Sequence, residues 1–182
     1  MKKLDYFIQK QRLLQAEQYI IGDSILDIGC HHGELFEHLL KKRPIFGDGI
    51  DSVLETQKTT SNYTLYPGYF PSDFPEEKQY HNITLLAVLE HIPIQEIEHY
   101  PRILSRFLKP KGRVIITIPS KQVDYILAIL LFFKLVKGMD LEHHQDFERS
   151  LIKTIFTAHD FKLMKEKKFE FGLNTLYVFE KK

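Results

Sequence analysis

The chain has 182 residues, 43% of them hydrophobic, and sets 25 Lys and Arg against 24 Asp and Glu for a formal net charge of +1. That length supports one domain with a sizeable core, and the balanced charge leaves no footprint for nucleic acid or an anionic membrane. A single cysteine, Cys30, excludes an intrachain disulfide and a CxxC zinc site, which fits a reducing, cytoplasmic setting.

The first twenty residues, MKKLDYFIQKQRLLQAEQYI, space their apolar side chains with polar ones. They predict an amphipathic helix over 1–20 and not the apolar core of a signal peptide. Strand-like runs follow at 24–28, 44–50, 63–66, 83–88, 113–118, 163–171 and 175–180. Helix-like segments fall at 34–42, 52–58 and 94–108, the last expected to kink at Pro101. ILDI, ITLLAV and VIITI are continuously apolar, as central parallel strands buried on both faces should be. Only Gly172-Leu173-Asn174 separate the last two runs, too few residues for a crossover helix, so these should pair as an antiparallel hairpin. The expected fold is therefore α/β: a mostly parallel seven-stranded sheet ending in an antiparallel hairpin, with helices on both faces. No repeat or linker divides it, so residues 1–182 read as one domain with an insert at 121–147. The longest apolar run, YILAILLFF, is far short of the roughly 20 residues a spanning helix needs.

In an open α/β sheet, ligands bind beyond the carboxyl ends of the strands, so the residues just after each strand carry the functional signal. Asp27-Ile28-Gly29-Cys30-His31-His32-Gly33 follow the first strand, and Asp51-Ser52 end the second. Ala87-Val88-Leu89-Glu90-His91 end the fourth, and LKPKG leads into the fifth. A dinucleotide fold needs G-x-G-x-x-G, and here His31 and Glu34 replace the second and third glycines; the phosphate loop G-x-x-x-x-G-K-[ST] is absent as well. In this order the motifs resemble those of the class I S-adenosylmethionine (SAM) methyltransferases, whose pattern is D-x-G-x-G-x-G, an acid ending the second strand, V-L-E-H and LKPGG. Residues 24–179 carry the resemblance. The chain departs from the pattern at His31, where the family has its middle glycine, and at Lys111.

The resemblance implies a Rossmann-like methyltransferase sandwich with SAM as cofactor. It implies Asp51 for the ribose hydroxyls and Asp27 for ordering the loop or meeting the ammonium. Gly29, Cys30, His31 and Gly33 form the loop, whose N–H groups and helix N-terminus suit a carboxylate. Ser52, Ala87 and Val88 are the remaining cofactor-side residues, with Tyr69 and Phe70 where adenine is expected. The acceptor is expected to be a small or lipid-linked molecule, methylated by in-line displacement. A hydroxyl acceptor needs a base, for which His91, His143 and His144 are the candidates. Residues 121–147 occupy the family's lid position, and within them YILAILLFFKLV, from Tyr125 to Val136, is apolar nearly all round. It is a candidate buried helix, pocket wall or homodimer contact. Two other readings stand beside this one. One is a non-catalytic SAM-binding module. The other is a metal-assisted RNA 2′-O-methyltransferase, against which Ala87 fills the first acidic position of E-x-x-E-H. No metal site and no nucleic-acid partner are expected.

Overall fold

A computed structural model describes residues 2–75, 78–120 and 149–182. The insert at 121–147, with Tyr125 to Val136, His143 and His144, lies outside the described residues. Helix α1 (Lys2–Glu17) precedes strand β1 (Ser24–Ile28), helix α2 (Glu34–Leu40) and strand β2 (Phe46–Asp51). Strands β3 (Lys58–Thr59), β4 (Tyr63–Pro67) and β5 (Tyr80–Leu86) follow, then helices α3 (Ile94–Ile97) and α4 (Tyr100–Arg106) and strand β6 (Leu108–Pro119). The helix Arg149–Thr157 leads into β7 (Phe161–Phe169) and β8 (Asn174–Lys181).

These strands form one sheet in the order β3-β4-β2-β1-β5-β6-β8-β7. The pairs from β4 to β6 are parallel, and β8 is antiparallel to both β6 and β7. All seven expected strands are present, and the final hairpin is antiparallel as its short connection requires. The eighth, β3, is a two-residue antiparallel edge beside β4.

Two expected helices change. Residues 52–58 form no helix: the Asp51 side chain accepts the Val53 N–H at 3.0 Å, an Asx-type turn competing with helical bonding, and Lys58 pairs with Leu65. The expected helix at 94–108 is two short helices rather than one with a kink. Pro101 sits in the first turn of α4, where its missing N–H costs nothing, and the break falls before it.

Alternation along the strands divides the core between the two sheet faces. On one face Leu26, Ile28, Leu85, Ile116 and Phe179 pack with Leu104 of α4 and with Ile152 and Phe156 of the helix Arg149–Thr157. On the other, Ile25, Ile115, Leu176 and Val178 pack with Ala16 of α1 and Leu35, Phe36 and Leu39 of α2. Each large side chain buried this way contributes about 1.5–3 kcal/mol of transfer free energy. Helix α1 is thereby fixed over the face and edge where the site forms. Among the described residues no helix is long and apolar enough to cross a membrane.

Candidate active site

Chain order reverses between β1 and β5: the strand after β1 lies on one side and the strand after β5 on the other. A crevice therefore opens beyond their carboxyl ends, the usual ligand position in an open α/β sheet. Here it is a cavity of about 640 Å³, lined by Asp27, Gly29, Cys30, His31, Glu34, Leu86 and Ala87 from the sheet side and by Tyr6, Gln9, Arg12 and Leu13 of α1. That volume lies within the range of small-molecule sites.

The turn after β1 is tied to β2, because the Gly29 and Cys30 N–H groups both donate to the Ile50 carbonyl. Gly29 has φ +74°, and a Cβ there would lie 2.3 Å from Cγ2 of Val88. Glycine lets the turn after β5 close against the turn after β1. His31 adopts the left-handed conformation of the family's middle glycine, φ +48°. Its side chain is half exposed and its Nδ1 meets Glu34 Oε1 at 2.7 Å. The His31 N–H donates to Asp51 Oδ2 at 2.7 Å, so loop and acid are locked together.

Asp27 is 3% exposed, and its Oδ1 accepts the Thr84 hydroxyl at 2.5 Å. Burial, with lesser contributions from the carboxylates of Glu34 and Asp51, outweighs that bond and pushes its pKa up to about 7. Cys30 is buried; its surroundings and the nearby Asp27 push its thiol up, so it stays protonated and unreactive.

Of the residues singled out from sequence, Asp27, Gly29, Cys30, His31 and Ala87 line the cavity together. Gly33, at φ +94°, forms the cap of α2 against Leu65 and Tyr63. Val88 backs Gly29, and Asp51 stands behind the loop through His31. Ser52 lies exposed in the turn that follows. Tyr69 is largely exposed, whereas Phe70 is buried in an aromatic group with Phe74, Tyr100 and Phe107. His91 is exposed on its turn and does not line the cavity, while its neighbour Glu90 is buried. Among the described residues no group of three or more His, Cys, Asp or Glu is placed to hold a metal ion.

Sequence reasoning put the cofactor carboxylate at the start of α2. In the structure Glu34 occupies that ground, accepting the His32 N–H at 3.1 Å. The cation lining the cavity is instead Arg12 of α1, which no motif flagged. Its Nε donates to Asn174 Oδ1 at 3.3 Å. Burial lowers its pKa, against the pull of Glu90 and Glu170, which favour the charged form. The signal available was a lone arginine on the inward stripe of a polar helix, which periodicity alone cannot tell from a surface charge.

The cavity thus offers carboxylates at Asp27 and Glu34, a guanidinium at Arg12 and a glycine-bearing turn for close backbone approach, groups that suit the ammonium and carboxylate of an amino-acid nucleoside. The donor set and the cavity fit SAM.

Comparisons with known proteins agree with this reading. The sequence profile described as "Methyltransferase domain" matches residues 2–166. A Dictyostelium discoideum protein, O-methyltransferase 9, is 29% identical over 175 residues, covering 86% of this chain and 44% of the relative. The chain thus spans less than half the length of that curated relative. Among solved structures, the PH0226 protein from Pyrococcus horikoshii OT3 superposes with a TM-score of 0.72 at 16% identity, over 100% of this chain and 93% of that one. The N-methyltransferase NodS from Bradyrhizobium japonicum WM9, in complex with S-adenosyl-l-homocysteine (SAH), gives 0.66 at 16% identity, over 96% and 87%. At such identities the structures show a shared fold. With the profile match across most of the chain, they show that it belongs to the methyltransferase domain family, among the class I SAM-dependent methyltransferases.

Proposed function

We propose that this chain transfers the methyl group of SAM to a small or lipid-linked acceptor in the cytoplasm. The observation that carries the reading is the cavity at the β1–β5 crevice, which is lined by both the carboxyl group of Asp27 and the guanidinium of Arg12. The SAH-bound NodS neighbour supports the same cofactor on this fold.

When bound, SAM supplies an electrophilic methyl carbon: an acceptor lone pair forms the new bond while the S–C electron pair stays on sulfur as a neutral thioether. Asp27 meets the ammonium, with the nearby carboxylates of Glu34 and Asp51 adding to the favourable field. Arg12 takes the carboxylate in place of the helix N-terminus. Asp51 holds the ribose hydroxyls while its Oδ2 keeps the His31 N–H, so ribose binding and loop shape are set by one side chain. Tyr69 and Ser52 flank the adenine side. Holding acceptor and methyl carbon in line provides most of the rate, since positioned reactants save the entropy of encounter. An acceptor proton passes to a histidine, with His143 and His144 preferred over the exposed His91.

SAH binding tests this. At about 100 times Kd, SAH adds about 2.7 kcal/mol of stability and raises Tm by roughly 5–10 °C for a chain of this size. An unchanged Tm at millimolar SAH would overturn the cofactor assignment, and a shift reversed by chelator would revive the metal-assisted reading.

A further inference from the structure

The cofactor cavity does not use all the buried polarity at this edge of the sheet. Leu86, which lines the cavity, is in register with Thr117 of β6, so the two side chains share a face. Two residues further on, Pro119 stands opposite Asn174 of β8, which places Asn174 on that face too. Asn174 is 2% exposed; it accepts from Arg12 and its amide donates to Glu170 Oε2. A polar strip therefore runs from the cavity wall across β6 to the turn between β7 and β8.

Two atoms of this strip have no hydrogen-bond partner among the described residues: Thr117 Oγ1 and Glu170 Oε1. Thr117 is fully buried. A buried hydroxyl or carboxylate oxygen without a partner costs free energy and is rare in native proteins unless a ligand, ion or water completes it. Charge narrows the class of ligand. Among the described residues of the group Arg12 is the one cation, and it feels two carboxylates, Glu90 and Glu170, while Asp27 and Glu34 line the adjoining cavity. An anionic acceptor would enter an excess of negative charge, whereas a hydrogen-bond donor would meet the open carboxylate oxygen.

We propose that the acceptor presents a hydroxyl or amine donor to a subsite formed by Thr117, Glu170 and Asn174, with Glu170 as the specificity-determining residue. This rests on the cofactor reading, because the subsite adjoins the cavity assigned to SAM. It excludes carboxylate and phosphate acceptors.

The test uses the full chain, labelled with ¹⁵N and saturated with SAH, titrated separately with benzyl alcohol, benzylamine and benzoate at millimolar concentration. Benzyl alcohol or benzylamine should shift the amide signals of Ser120, Leu173 and Asn174 saturably, and benzoate should not. The responding fragment tells a hydroxyl acceptor from an amine. Glu170→Ala should weaken that fragment about tenfold or more, measured with SAH held at saturation, and Glu170→Gln should restore the alcohol but not the amine. A preference for benzoate at these amides, or no shift with any fragment while SAH stays bound, would overturn the proposal. Failure of SAH itself to bind would be seen first and would remove the cofactor reading together with this one.

Discussion

Asp27 and Asp48 lie on neighbouring strands and are almost equally buried, at 3% and 4% exposed, yet their surroundings differ. Asp48 faces the opposite end of the sheet, beside a smaller cavity with Tyr80 and Lys78. Its Oδ2 accepts the buried Tyr80 hydroxyl at 2.7 Å and lies 3.4 Å from Lys78 Nζ. Asp27 has one hydroxyl donor, and the charged side chains that perturb it are carboxylates. One aspartate is completed by its own protein; the other is arranged for a cation that arrives from outside. A buried charge costs several kcal/mol unless compensated, so the uncompensated one marks the functional end of the sheet.

Substitution separates the two most sharply. Asp27→Asn should weaken SAH about 10- to 100-fold at pH 8, the worth of a charge-assisted bond, with no loss of Tm in the free protein. Calorimetric titration gives the first number and thermal unfolding the second. Equal SAH affinity in variant and parent would break the comparison. Asp48→Ala should behave in the reverse way, losing about 1–3 kcal/mol of stability with the bond to Tyr80 while SAH affinity stays within error.

Acidity sharpens the contrast further. The Asp27 pKa, raised from 3.8 to about 7, means the folded state binds more protons than the unfolded chain between those values. Its contribution to the stability of the free protein is therefore present at low pH and lost as pH rises towards 7. A bound ammonium favours the ionised form, so SAH affinity should rise with pH, by at most about tenfold per unit, and level off above 7. The gap between free and SAH-saturated Tm should widen from pH 5.5 to 8 and flatten in Asp27→Asn. A gap that narrows with pH would contradict a cationic partner for Asp27.

The smallest effect is expected at His31. Its backbone already has the left-handed φ and its side chain is half exposed, so His31→Gly should change SAH affinity by less than about twofold. A large loss would show that the imidazole, with Glu34, is part of the site.

What the amino-acid order revealed was whatever depends on neighbours in the chain. Strand β1 runs over 24–28 as its apolar run predicts, and Gly29 marks the turn after it. The hairpin β7–β8 follows from a connection too short for anything else. Errors came where distant contacts decide. SVLETQK has helical composition, but the Asx turn at Asp51 and the pairing of Lys58 with Leu65 hold the backbone otherwise. Phe70 stands by position where adenine is expected, and its packing with Phe74 and Tyr100 sets it in the core. Arg12 and Glu170 carry no motif because what defines them is Asn174 between them, 162 residues from Arg12 and 4 from Glu170.

The close fit of Gly29 against Val88 has a further meaning for how this sequence can change. A methyl group added at 29 would occupy the space of the Val88 side chain, so the two positions share one volume. Substitutions there should combine non-additively, each altering the cost of the other. The cofactor loop and the turn carrying Glu90 are thus bound to vary together, one as the imprint of the other.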